Sequence, residues 1–159
     1  MATIEEYVSH LPNNVLEEID KWRHSIRSTE PVTFAMIDEL DPSLLAVGAV
    51  RDALLAYTFA PEGYEYDIRP EATLDFKEFP PNVPLHRVSR TATLLATFTV
   101  DGGEPSDHAK ALLGCIYWNT RMNTQALDYL EEVDKPTRLA ELVATAIAMG
   151  IPGHFRLAP

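Results

Sequence analysis

The residues best able to do chemistry lie together in 101–108. Asp101, Glu104, Asp107 and His108 set three carboxylates and an imidazole around the flexible turn at Gly102-Gly103. Oxygen-rich loops of this general kind hold Ca²⁺ or Mg²⁺. The spacing fits no standard metal loop, however, and acids next to a helix start are accounted for by the helix dipole. The expectation is therefore no metal and no cofactor, with these four residues as the candidates if a metal does bind. Cys115 stands among Leu113 and Ile116, where apolar burial raises a thiol's pKa, so an inert thiol is expected rather than a nucleophile. His10, His24, His86 and His154 have no partner in sequence. The chain has no Gly-rich phosphate loop, nucleophile elbow, His-Glu-x-x-His or Cys-x-x-Cys. This speaks against an enzyme. The alternative is a small enzyme or ligand-binding domain whose site is assembled from non-contiguous residues.

Composition narrows the partners. The chain has 159 residues and a formal net charge of −11, which argues against nucleic acid and anionic membranes, whose phosphates favour basic surfaces. The charge is uneven: residues 1–83 carry 16 acids against 6 Lys/Arg, and residues 84–159 carry 8 against 7. The near-neutral second half also has the better helical periodicity. One cysteine allows no internal disulfide and fits a reducing compartment. The acidic start Met-Ala-Thr-Ile-Glu-Glu lacks a signal-peptide pattern. The longest apolar run, Leu44–Val50, is far short of the ~18 residues that suggest a membrane span. A cytoplasmic protein with protein partners, itself or a host protein, is the expectation.

The elements that must position these residues are mostly helices, organised around 106–120. Ala109, Leu112, Leu113, Ile116 and Tyr117 recur at helical spacing, and Ala111, Cys115, Trp118 and Met122 form a second apolar stripe. A helix apolar on two faces belongs between neighbours. Ser106 is expected to cap it, with Asp107 in its first turn. Before it, a short helix over 3–10 precedes one capped by Asn13 or Asn14, with Val15, Ile19, Trp22 and Ile26 inward. A short helix over 32–40 follows, then one over 42–59 opened by Asp41-Pro42. Arg51-Asp52 interrupts this last apolar segment, either as a solvated or salt-bridged edge or as a buried pair fixing another segment.

Residues 60–84 hold five of the 12 prolines. Tyr64, Tyr66 and Ile68 alternate with polar residues, as do Leu74 and Phe76, which predicts a β-hairpin around residues 64–78. Its aromatic face must lie on the helices or on another chain. Residues 84–100 suit either a helix or a strand, and length favours the helix. Beyond the central helix, one helix reaches about Val133 and buries Ala126, Leu127, Leu130 and Val133. The last starts at Asp134-Lys135-Pro136 with Leu139, Leu142, Val143, Ala146 and Ile147 inward and is closed by Gly150. The tail 153–159 is expected to be loose. The fold class is thus mainly α: a single domain over 1–159, a bundle of about seven helices by this periodicity, with helical parts 3–59 and 84–151 and a hairpin or loop segment 60–84.

Several of these residues also carry a family resemblance. The run from Leu112 to Leu130, then Arg138-Leu139-Ala140-Glu141-Leu142 and Ala148-Met149-Gly150-Ile151-Pro152, resembles the end of the actinobacterial family known as domain of unknown function 4192. Arg51-Asp52-Ala53-Leu54-Leu55 is similar to another of its segments. Arg121-Met122-Asn123 stands where that family has a glycine-aspartate turn, and the family's larger N-terminal portion has no counterpart here. The resemblance implies an actinobacterial lineage, or a phage of such hosts, and no activity. Leu113-Gly114, Tyr117, Ala126 and Leu130 also stand at the spacing of a single tetratricopeptide-type hairpin, without the further repeats a solenoid needs. In that geometry Ala111, Cys115, Trp118 and Asn119 face the binding side, unless Trp118 is plain core. The expected function is a helical protein–protein interaction or regulatory module. Trp118, Asn119, Tyr64, Tyr66 and Phe76 form the contact surface, and a self-associating structural subunit is a further alternative.

Overall fold

A computed structural model describes residues 3–69, 71–72 and 74–159. Eight α-helices are formed among them: α1 (Ile4–Val8), α2 (Val15–Arg27), α3 (Phe34–Glu39), α4 (Gly48–Phe59), α5 (Leu85–Ala96), α6 (Gly103–Asn119), α7 (Asn123–Glu131) and α8 (Arg138–Ala148). Two three-residue strands, β1 (Asn82–Pro84) and β2 (Arg156–Ala158), pair in parallel with Val83 opposite Leu157. The protein is mainly α with a small β element.

α6 is the centre. It packs on α5, α7 and α8, while α2, α4 and α5 pack on one another. Leu112, Leu113 and Ile116 are fully buried, as the two-faced apolar pattern requires. Gly114 lets α7 come close: a Cβ there would lie 2.7 Å from Leu130 Cδ2. One turn along, the Tyr117 and Tyr129 rings stack at 5.8 Å. The hairpin packing expected from the small residues is present.

Several boundaries differ from expectation, each for a local reason. α6 begins at Gly103, so Ser106 lies inside it and its hydroxyl donates to Thr99 O rather than capping. Asn14 precedes α2 in a left-handed conformation (φ 70°) and makes no side-chain cap. The expected helix over 42–59 is divided: Pro42–Ala46 is a 3-10 turn, Val47 is extended, and α4 starts at Gly48. Arg51 spans the join by donating from Nη1 to Leu45 O at 2.7 Å. α8 starts at Arg138, capped by Thr137, whose hydroxyl accepts from Ala140 N, and not at Asp134. Residues 85–96 are helical. Leu127 is 37% exposed rather than buried.

The expected hairpin over 64–78 is not formed by the described residues; Pro70 of its turn and Thr73 lie outside them. Two aspartates explain the difference. Asp67 Oδ1 accepts from Arg69 N at 3.0 Å, and Asp75 Oδ1 accepts from Lys77 N at 3.0 Å. Each takes a backbone donor that a strand ladder would use and turns the chain instead; Phe76–Glu78 becomes a 3-10 turn. The aromatic side chains still face inward. Tyr64 packs edge-on against Tyr57 and Phe79, and Phe76 against Phe59 and Phe155.

The tail is ordered, not loose. Phe155 is fully buried and stacks on Phe59 with centroids 4.4 Å apart. Phe155 N donates to Asn119 O (2.9 Å) and Arg156 N to Pro81 O (2.7 Å). The tail therefore ties the end of α6 to the segment before α5.

Candidate functional site

α4, α6 and α8 converge on two adjoining depressions. α6 supplies Glu104, Asp107 and His108 near its start, then Cys115, Trp118 and Asn119 three turns on. α4 supplies Arg51 and Asp52, which point to different depressions. Leu139 on α8 lines both.

The first depression is a polar cleft of about 340 Å³, walled by Arg51, Glu104, Asp107, His108 and the segment 134–139. Three of the four candidates of 101–108, Glu104, Asp107 and His108, line it, but each is engaged differently. Asp107 is buried, and its two oxygens accept from Asp134 N (2.8 Å) and Lys135 N (3.1 Å). It is a clamp holding the loop before α8. Glu104 is exposed and its Oε1 lies 3.4 Å from His108 Nε2. Asp101 is exposed and does not line the cleft. Among the described residues, no three of His, Cys, Asp and Glu are placed to hold a metal ion. Burial pushes the His108 imidazole below its ordinary value, and the nearby Arg51 charge adds to this, against the pull of Glu104. Sequence reasoning missed the cations of this cleft, Arg51, Lys135 and Arg138. They come from two segments far apart in the chain, so no local spacing could announce them.

The second depression is an apolar groove of about 410 Å³, formed by Leu55, Leu74, Phe76, Cys115, Trp118, Leu139, Leu142 and Val143, with Asn119 and Asp52 as its polar members. Of the five residues expected to make protein contact, Trp118, Asn119 and Phe76 meet here; Tyr64 and Tyr66 do not. Tyr64 roofs the core, and burial pushes the Tyr66 phenol above its ordinary range. Asn119 is 2% exposed, and its amide donates to Cys115 O at 2.9 Å, so it holds the groove floor. The Cys115 thiol is pushed up to about 12 by burial, as an inert thiol requires. Trp118 is half-buried, with its indole N–H donating to Ile151 O at 2.9 Å, and is therefore not plain core. Leu142, on the inward stripe of α8, stays 55% exposed beside the groove.

Asp52 gives this groove its polarity. Its carboxylate makes no hydrogen bond or salt bridge among the described residues, Arg51 included. Surrounding protein mass raises its pKa, against the pull of Arg51. For Arg51-Asp52 the solvated edge thus holds at Asp52, which is exposed, and neither a salt bridge nor a buried pair is formed; Arg51 secures a turn.

No protein-family model, no curated protein and no solved structure matches this chain. No helix among the described residues is long and apolar enough to cross a membrane.

Proposed function

We propose that this protein is a helical interaction module whose groove between α4, α6 and α8 takes a segment of a partner protein bearing an apolar side chain next to a Lys or Arg. The observation carrying this reading is the unpaired Asp52 carboxylate among the groove's apolar side chains. Apolar walls supply affinity, and the exposed Asp52 carboxylate at the groove's edge offers a complementary charge to a cation of the partner. The volume lies within the roughly 300–1,000 Å³ of compact binding sites. The net charge of −11 favours a basic partner over nucleic acid. A reducing, cytoplasmic setting agrees with the single free cysteine. The actinobacterial or phage lineage rests on the sequence resemblance alone.

Trp118 provides the readout. Peptides with Leu or Phe at helical spacing and flanking lysines should shift Trp118 emission on titration. The same peptides with Lys replaced by Glu should bind at least tenfold more weakly. Leu142→Glu, at an exposed position, should abolish the response without changing the unfolding midpoint. Equal binding of both peptide sets, or an unaffected L142E response, would refute the reading. Concentration-dependent dimerisation abolished by L142E would replace the partner with a second copy of the chain.

A further inference from the structure

A third depression lies where the end of α2 meets the end of α4 and the start of α5. It has a volume of about 250 Å³ and includes Arg27, Arg87, His86, Phe59 and three prolines, 61, 80 and 84. Arg87 is 7% exposed, so it is more than nine-tenths buried. Its Nε donates to Thr58 O at 3.0 Å, and its two terminal nitrogens make no hydrogen bond among the described residues. Arg27 is held in place beside it. Its Nη2 donates to Ala60 O (3.3 Å) and Pro61 O (3.2 Å), and its guanidinium sits 5.4 Å from the Tyr57 ring centroid. Arg27 Nε is buried with no partner.

Neither guanidinium has a carboxylate within salt-bridge distance among the described residues; the cleft's one acid, Glu62, is exposed. A chain with 24 acids has thus placed two adjacent cations, one of them buried, without a salt-bridged partner; exposed Glu62 pulls on both only at longer range, and Glu65 on Arg27. Buried charges are ordinarily paired. The surroundings add to the deficit. α5 starts here with no side-chain cap and no acid in its first turn, so its amide dipoles add positive potential. Burial lowers both arginine pKa values, and the Arg27 charge lowers that of Arg87 further.

The geometry points to a binding site for a phosphate group, with Arg27 and the free fork of Arg87 as its two cationic contacts. Guanidinium forks match the oxygens of a phosphate, and a phosphate monoester carries about −1.5 to −2 at neutral pH, close to the charge of the arginine pair. The cleft is larger than a bare phosphate. Its proline and Phe59 walls offer apolar surface and no backbone donors, which suits the organic body of a small monoester.

Inorganic phosphate and phenyl phosphate are titrated against the full chain at fixed ionic strength, with chloride as the control, by thermal unfolding and calorimetry. Saturable binding of both is expected, phenyl phosphate the tighter. At about one hundred times the dissociation constant the midpoint should rise by roughly 5–10 °C. Arg27→Gln should weaken binding at least tenfold, and Arg69→Gln, exposed, paired with Asp67 and outside the cleft, should leave it unchanged. Phosphate should also protect Arg27 from phenylglyoxal in the unsubstituted chain, a readout that does not depend on the variant folding. A response to phosphate no greater than to chloride, full binding by R27Q, or no protection of Arg27 would overturn the assignment. Tighter binding of inorganic phosphate would identify the free ion as the ligand and overturn the monoester.

Discussion

His108 shows how one side chain carries a pH response without doing catalysis. Its side chain is 13% exposed, and burial followed by the Arg51 charge holds its pKa below the ordinary 6.5. The folded chain therefore binds this proton less readily than the unfolded chain. The resulting stability is fully present above 6.5 and is lost as pH falls below it. Asp52 works the other way. Its raised pKa means the folded chain holds that proton more readily, so stability falls as pH rises from the ordinary 3.8. Comparison with a single variant separates the two. His108→Gln should flatten the fall in unfolding midpoint between pH 7 and pH 5 and leave the curve above pH 7 unchanged. Thermal melts across pH at constant ionic strength check this, and an unaltered slope would refute it.

At the scale of elements, two glycines near α6 have different neighbours. A Cβ on Gly114 would meet Leu130 Cγ and Cδ2 at 2.8 and 2.7 Å, so a side chain packed on the core must shift, but no backbone atom lies closer than 3.5 Å. Overpacking of about 1–3 kcal/mol is offset by the roughly 1 kcal/mol that alanine gains over glycine in a helix. Gly114→Ala should therefore destabilise by no more than about 2 kcal/mol. A Cβ on Gly153 would lie 2.1 Å from Trp118 O and 2.7 Å from Asn119 C and Cα, backbone that cannot yield. Gly153→Ala should cost about 3 kcal/mol or more by lifting the tail from α6. Urea midpoints of the two variants test the contrast, and equal losses would contradict it.

The same scale explains what could be read in advance. The helical periodicity of α2, α6 and α8 and the fit of Gly114 to α7 are local patterns, and they gave the elements and their order. The pairing of β1 with β2 joins three-residue strands from distant parts of the chain and leaves no alternation to detect. The alternation at 64–69 was real but misleading. It packs aromatics inward from an irregular segment, while Asp67 and Asp75 bend the backbone. Trp118 and Asn119 enter the expected contact surface through the hairpin spacing and Phe76 through its alternation, and all three line the groove. Leu142 and Asp52, which complete the groove, do not enter that surface, because their surroundings come from other helices.

At the scale of the whole molecule, the aromatic cluster of Phe59, Phe76, Phe79 and Phe155 joins the middle of the chain to its C-terminal tail. Phe155 is fully buried, stacked on Phe59 and edge-on to Phe76. Phe155→Ala should cost about 3–5 kcal/mol, a large share of the roughly 5–15 kcal/mol that stabilises an ordinary domain. It should also raise the exposure of Phe59 to hydrophobic dyes. Chemical denaturation with dye binding measures both, and a loss under about 1 kcal/mol would show that Phe155 is not the keystone of the cluster.

The parallel pairing of β1 with β2 has a consequence for biosynthesis. Phe59 leaves the ribosome long before the residues that cover it. Translation runs at roughly 5–20 residues per second, so the nascent chain carries an uncovered aromatic face for several seconds before Phe155 arrives. During that interval a chaperone that holds apolar surface has its binding site, and closure of the last strand removes it.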